Sequence, residues 1–201
     1  MTFIIPYRDR EKHLVELIPH LVQHGRIIVV EQCDDKPFNR GKMINIGFKY
    51  IDPQETAICI HDVDMIPVKV NYALDSFVWH LAGKVQQFIY RMPYKEYFGG
   101  VVIFPVDSFS KINGFSNEYW GWGAEDDDLY RRCASKKIKI FRQAGRFDSL
   151  PHPHQKSINL HKENLITLKK GLNFDSGLSD CMNNVKIISK QMKDYTLICA
   201  G

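Results

Sequence analysis

Three short runs that are apolar at successive positions constrain this chain more than any other feature. Thr2–Pro6 contains Phe3-Ile4-Ile5, Arg26–Glu31 contains Ile27-Ile28-Val29-Val30, and Thr56–His61 contains Ala57-Ile58-Cys59-Ile60. A strand with no polar alternation must be covered on both faces, the condition of a parallel sheet held between helices. The segments between the runs have helical spacing. Glu11–His24 repeats Leu14, Leu17, Ile18, Leu21 and Val22, and Phe38–Tyr50 places Phe38, Met43, Ile44, Gly47 and Phe48 near one face. Strand, helix, strand, helix, strand predicts an α/β fold with a mostly parallel central sheet flanked by helices. Ligands of such sheets bind outside the C-terminal strand ends. Arg8 and Arg10, Glu31 to Asp35, and His61 to Asp64 are therefore expected along one edge.

Farther on, Val85–Tyr90 and Gly100–Pro105 read as strands and Ser108–Ile112 as a short helix. Leu129 to Cys133 continues a helix that begins near an acidic run. Gln143–Asn159, polar and carrying Pro151 and Pro153, reads as a loop. Leu160–Lys170 reads as a helix and Tyr195–Cys199 as a last strand. No repeat or linker divides the chain, which predicts a single domain over residues 1–201. With 201 residues, 44% hydrophobic, it is long enough for a sizeable core.

The net charge of +4 is mild and its lysines are scattered, which argues against a nucleic-acid-binding arm while remaining compatible with an anionic small substrate. Five widely spaced cysteines without a Cys-x-x-Cys pair predict free thiols and a reducing, cytoplasmic setting. No run approaches the roughly 18 apolar residues of a membrane span, and no signal peptide is evident; a Golgi-type location would require a longer precursor.

Three groups of residues carry chemistry. Asp62-Val63-Asp64 leaves the third strand, and two carboxylates one residue apart can share a hard divalent cation. His152-Pro153-His154 could add imidazole nitrogens, a mixed set suited to Mn²⁺, although such a pair also suits two exposed side chains. Pro6-Tyr7-Arg8-Asp9-Arg10 and Phe38-Asn39-Arg40-Gly41-Lys42 offer guanidinium forks and a helix start, both fitted to phosphate; both also read as ordinary surface charge. Finally, Trp120-Gly121-Trp122-Gly123-Ala124-Glu125-Asp126-Asp127-Asp128 joins indole faces to four consecutive acids. Indoles stack on the C–H faces of sugars and carboxylates accept from hydroxyls. The Gly-x-x-x-x-Gly-Lys and Gly-x-Gly-x-x-Gly fingerprints do not occur. A nucleotide-diphosphate site with a metal, beside a sugar shelf, implies a glycosyltransferase.

These motifs, with Tyr97-Phe98-Gly99-Gly100 and Asn113-Gly114-Phe115 between them, occur in the order seen in the β-1,4-galactosyltransferases, glycosyltransferase family 7, and the chain resembles that family from about Pro6 to about Asn173. The resemblance implies a GT-A-type nucleotide-sugar-binding fold and inverting transfer of galactose from UDP-galactose to a glycan or glycoconjugate hydroxyl, with Mn²⁺. It implies Asp64, His152 and His154 as metal ligands, and Arg8, Arg10, Phe38, Arg40, Asp62, Val63 and Trp122 around the donor. Asp126 matches the general base. Tyr94, Tyr97, Gly100, Glu125 and Asp127 match the acceptor and sugar side, with Tyr97 favouring galactose over N-acetylgalactosamine. The interval after His154 is short and lacks the Arg-Phe-x-x-Ile pattern of members that act on N-acetylglucosamine. Other readings of the same residues are a UDP-N-acetylgalactosamine transferase, a metal-dependent nucleotide-sugar hydrolase or nucleotidyltransferase, and a sugar-binding module without a donor.

Overall fold

A computed structural model describes residues 1–151 and 158–201. In chain order the elements are β1 (Thr2–Tyr7), α1 (Glu11–Leu21), β2 (Arg26–Gln32), α2 (Arg40–Phe48), β3 (Ala57–His61), β4 (Met65–Lys69), β5 (Val78–His80) and β6 (Lys84–Val85). A 3-10 turn at Gln86–Phe88 follows, then β7 (Val101–Pro105), α3 (Val106–Lys111), α4 (Glu125–Ser135), β8 (Ile140–Arg142), β9 (Arg146–Ser149), α5 (Ile158–Lys170), β10 (Ile187–Gln191) and β11 (Thr196–Ala200).

The main sheet has the order β10-β11-β2-β1-β3-β7-β5-β8. β1 is parallel to β2 and β3, β11 is parallel to β2, and β5 is parallel to β8. Antiparallel pairs enter at β3–β7, β5–β7 and β10–β11. The expected mostly parallel sheet is therefore present. Successive residues of β1 serve opposite faces. Phe3 and Ile5 join Leu14, Leu17 and Leu21 of α1 on one side, and Ile4 joins Ile44 of α2, Phe109 of α3 and Leu129 of α4 on the other. Each such side chain, removed from water, contributes roughly 1.5–3 kcal/mol, which is why an uninterrupted apolar run was needed.

The apolar runs became β1, β2 and β3, and the helical stripes became α1 and α2 with slightly tighter ends. Other expectations are corrected. Val85–Tyr90 is not one strand: after β6 the chain closes a 3-10 turn, with Ile89 and Tyr90 at φ 54° and 55°. Its apolar residues Val85, Phe88 and Ile89 have turn spacing, not alternation. The expected loop Gln143–Asn159 contains β9, which forms because β4 pairs antiparallel with it and β6 parallel to it in a second, three-stranded sheet. Cys33 and Cys199 form a disulfide, contrary to the expectation of free thiols throughout. β11 lies alongside β2, and the N–H of Cys33 donates to Ala200 O at 2.8 Å, so the two cysteines meet across a non-local strand pair. Cys59, Cys133 and Cys181 are buried thiols. Among the described residues, no helix is long and apolar enough to cross a membrane.

Candidate active site

The site is assembled at the C-terminal strand edge from pieces far apart in sequence. Asn39 caps α2: its side-chain oxygen accepts from Lys42 N–H at 2.8 Å, its own N–H donates to Gln32 Oε1 at 2.7 Å, and its Nδ2 donates to Asn117 O at 2.8 Å. The cap leaves Arg40 as the first helical residue, aimed across the sheet edge. Its Nε donates to Asp62 Oδ1 at 2.7 Å and its Nη1 to Asp126 Oδ1 at 2.9 Å, with Glu125 Oε1 at 3.9 Å. The face of Phe115 lies 5.5 Å from the guanidinium carbon. Arg40, expected beside the donor, thus joins the Asp-x-Asp turn to the acidic run.

Burial pushes the Asp62 carboxyl up to about 7, against the pull of Arg40, and the neighbouring Asp64 and Asp126 push the same way. Burial and Asp126 push Glu125 up to about 8. Asp126 is also raised by burial, with Arg40 the chief influence holding it down. Arg40 itself is held more firmly protonated than usual by Asp126, Asp62 and Glu125, which outweigh its desolvation.

The four consecutive acids do not act as one charged patch. All lie in the first turn of α4, where the helix dipole offsets part of their repulsion. Glu125 and Asp126 face Arg40. Asp127 accepts from Tyr94 Oη at 2.9 Å. Asp128 is buried on Arg132 Nε at 2.6 Å and Tyr119 Oη at 3.1 Å. Arg132, fully buried, also donates to the carbonyls of Ile112, Asn173 and Ser176. That buried pair is structural: its ion pair spans one helical turn, i to i+4, while the three carbonyls that Arg132 also meets come from elsewhere in the chain.

On the other side of Asp126 stands Gly99. A β-carbon there would fall 2.5 Å from Asp126 Oδ2 and 3.0 Å from Tyr97 Oη. A side chain at this position would push the carboxylate or the phenol aside, and glycine lets both converge on this stretch of backbone. The Tyr97 hydroxyl is held well above its ordinary range by burial, then by Asp126 and Asp62. Gly100, at φ +83°, accepts from Asp62 N–H at 3.1 Å, tying this segment to the exit of β3.

Val63 is buried against the sheet. The carbonyl of Asp64 accepts from Leu150 N–H at 2.9 Å. His152 and His154 lie outside the described residues. Among the described residues, no group of three or more metal-binding side chains forms. Arg8 braces the segment after β2, donating to Lys36 O at 2.6 Å and to Asp34 O, with Asp34 Oδ1 at 3.5 Å. Arg10 precedes α1, and its carbonyl accepts from Leu14 N–H at 2.9 Å. Phe38 O accepts from Gly121 N–H at 2.7 Å, linking the start of α2 to the tryptophan loop.

That loop is held by α5. Asn164 donates from Nδ2 to Trp120 O at 3.0 Å and Gly123 O at 2.9 Å, and accepts from Trp120 N–H at 3.3 Å. The half-exposed Trp122 ring stands 5.0 Å from His161. Gly123, at φ +103°, passes so close to His161 that a β-carbon would meet Nδ1 at 2.7 Å. Asn164 and His161 belong to no motif, since each acts on a segment tens of residues away.

Two family models match the chain: the N-terminal region of glycosyl transferase group 7 over residues 1–73, and the N-terminal domain of galactosyltransferase over residues 79–156. The chain is similar to β-1,4-galactosyltransferase 6 of Rattus norvegicus, 36% identical over 213 residues, covering 98% of this chain and 55% of the relative. It is 38% identical over 169 residues to β-1,4-galactosyltransferase 5 of Homo sapiens, covering 77% of this chain and 44% of the relative. The chain spans about half the length of the curated relatives it matches. The catalytic domain of Drosophila β-1,4-galactosyltransferase 7, solved with xylobiose, superposes with a TM-score of 0.79 at 28% identity over all of this chain and 92% of that one. A mutant of that enzyme, solved with manganese, UDP-Gal and xylobiose, has the same TM-score at 26% identity.

The fold is the GT-A type of nucleotide-sugar-binding glycosyltransferases. The chain belongs to the β-1,4-galactosyltransferase family, glycosyltransferase family 7.

Proposed function

We propose that this chain is an inverting, Mn²⁺-dependent galactosyltransferase that moves galactose from UDP-galactose to a sugar hydroxyl, with Asp126 as general base. The observation that carries this reading is the Arg40 bridge, which brings Asp62 of the Asp-x-Asp turn and Asp126 of the tryptophan–acid run to one guanidinium. In the reaction the acceptor oxygen bonds to the anomeric carbon as the carbon–oxygen bond to UDP breaks. The hydroxyl proton passes to the Asp126 carboxylate, and UDP leaves. A base must lie within hydrogen-bond reach of the attacking hydroxyl and be ionised; Arg40 orients the carboxylate and favours its charged form.

Asp64 would hold the metal, and its turn is fastened to Leu150, two positions before His152. Asp64 and Asp126 both raise the proton affinity of Asp62, a charge arrangement that a cation relieves. When bound, Mn²⁺ would supply charge neutralisation on the departing diphosphate. Trp122 would cover the donor and exclude water. Tyr97, crowded against Gly99 and Asp126, supports a donor without an N-acetyl group. The Cys33–Cys199 disulfide supports an oxidising compartment in place of the cytoplasm.

The test is UDP release measured with Mn²⁺ across UDP-galactose, UDP-N-acetylgalactosamine and UDP-glucose, with xylosides and N-acetylglucosaminides as acceptors. The expected result is acceptor-dependent UDP release from UDP-galactose, lost on chelation and restored by Mn²⁺. Preferred use of UDP-N-acetylgalactosamine would overturn the donor assignment. Release of phosphate or pyrophosphate would favour the hydrolase or nucleotidyltransferase reading.

A further inference from the structure

A second polar assembly stands behind the sugar-facing segment and belongs to none of the motifs. β5 and β8 pair in parallel with His80 opposite Arg142. Arg142 Nη1 donates to Tyr97 O at 2.7 Å and Nη2 to Lys95 O at 2.8 Å. Nη1 also lies 2.6 Å from His80 Nδ1. A guanidinium can only donate, so Nδ1 is the acceptor and the imidazole proton resides on Nε2. From there it is donated to Gly99 O at 3.0 Å. His80 is fully buried, and desolvation pushes its pKa down to about 4, which keeps the ring neutral and this tautomer in place. The same ring stands edge-on to Tyr97, centroids 5.4 Å apart.

Three alternate carbonyls, those of Lys95, Tyr97 and Gly99, are thus hooked from one side by two side chains. The other side of the segment meets the acids that open α4: Tyr94 Oη donates to Asp127, and Gly99 leaves room for Asp126 Oδ2 where a β-carbon would stand. The segment has no strand ladder of its own before β7; it is held by these hooks together with Phe98, fully buried beside Phe104 and Tyr130, and the Asp62 N–H on Gly100 O.

We propose that Arg142 and His80 are positioning residues that set where Tyr97 and Gly99 stand relative to Asp126, and through them the turnover and donor selectivity of the enzyme. This rests on the galactosyltransferase reading above. Neither residue touches the reacting atoms; each acts through a main-chain carbonyl.

The test uses the full chain with Arg142→Met, Arg142→Lys and His80→Phe. The last keeps a ring against Tyr97 while removing both hydrogen bonds. Displacing a base or substrate by about 1 Å costs about 100-fold in rate. Arg142→Met and His80→Phe should therefore lower kcat by about 10- to 100-fold while the KM for UDP-galactose stays within about threefold. The kcat/KM ratio of UDP-galactose to UDP-N-acetylgalactosamine should change by at least about threefold, because the wall formed by Tyr97 moves. Arg142→Lys, a single-point donor without the fork, should fall between wild type and Arg142→Met.

Equal loss of both donors, in proportion to a drop in folded fraction measured by thermal melting, would overturn the proposal and leave a structural role only. A crystal structure of Arg142→Met gives an independent reading. Residues Lys95 to Gly99 should shift away from Asp126, and an unmoved segment would overturn the proposal even if the wild-type enzyme used a different donor. Failure of the wild type to transfer any hexose would instead count against the parent function.

Discussion

Arg40 Nη1 stands 2.9 Å from Asp126 Oδ1, and the same guanidinium holds Asp62 at 2.7 Å. One cation therefore sits between the carboxylate that would take a proton and the turn that would hold the metal. Burial raises the proton affinity of both carboxyls. Arg40 is the largest influence opposing that on each.

Replacing Arg40 by Met should cost about 3–5 kcal/mol of stability, because it leaves buried carboxylates without their partner. Asp126 would bind its proton more tightly without the neighbouring positive charge. The acid limb of the kcat/KM profile should then move to higher pH. A profile with an unchanged acid limb would show that Arg40 does not govern ionisation of the base.

Asp126→Asn should lower transfer by about 10²- to 10⁴-fold, the usual worth of a positioned base. The amide keeps the size of the carboxylate, so binding of UDP with Mn²⁺ should change little by isothermal titration. Loss of that binding would argue that Asp126 serves the donor and not the proton.

Asp62, Glu125 and Asp126 each have a proton affinity raised by burial, so each binds its proton more tightly folded than unfolded. Protonation of this cluster favours folding. Its contribution is whole below the ordinary carboxylate range near 4 and declines as pH rises through the folded values, about 7 for Asp62 and about 8 for Glu125. Urea unfolding without divalent ions should therefore show this cluster's contribution to stability falling between pH 5 and about 8. Glu125→Gln should fall less steeply, and an equally steep decline would place the effect elsewhere.

Asn164→Ala removes three hydrogen bonds to Trp120 and Gly123. Stability should drop by about 1–3 kcal/mol, the cost of orphaning buried backbone groups. The ratio of UDP released without acceptor to UDP released with acceptor should rise, because a loosened tryptophan loop admits water. An unchanged ratio would separate the staple from the lid.

Cys199→Ser opens a loop that closes over a sequence separation of 166, and should cost about 2–5 kcal/mol. Thiol titration of the denatured, unreduced chain should count three free cysteines, those at 59, 133 and 181. Five would mean that the pair does not form.

The strand and helix order was legible because burial on two faces demands uninterrupted apolar runs, and α1 and α2 repeat their stripes within a few turns. Asp62 and Asp64 could be placed at the strand edge because the preceding run had to be β3, and the acids could be placed at the start of α4 because Leu129 to Cys133 had to be helix. These are local facts, written in neighbouring residues. Asp128 meets Arg132 one helical turn on, but the assignment of Glu125 and Asp126 to Arg40 and of Asp127 to Tyr94 is not local, nor is the meeting of Cys33 with Cys199, the pairing that makes β9 a strand, or the hold of Arg142 and His80 on Lys95, Tyr97 and Gly99. A hydrogen bond between residues tens of positions apart leaves no period in the sequence. It exists only once the sheet order has brought its two ends together, and so the amino-acid order determined which carboxylates reach the edge while the packed chain decided which cation each one meets.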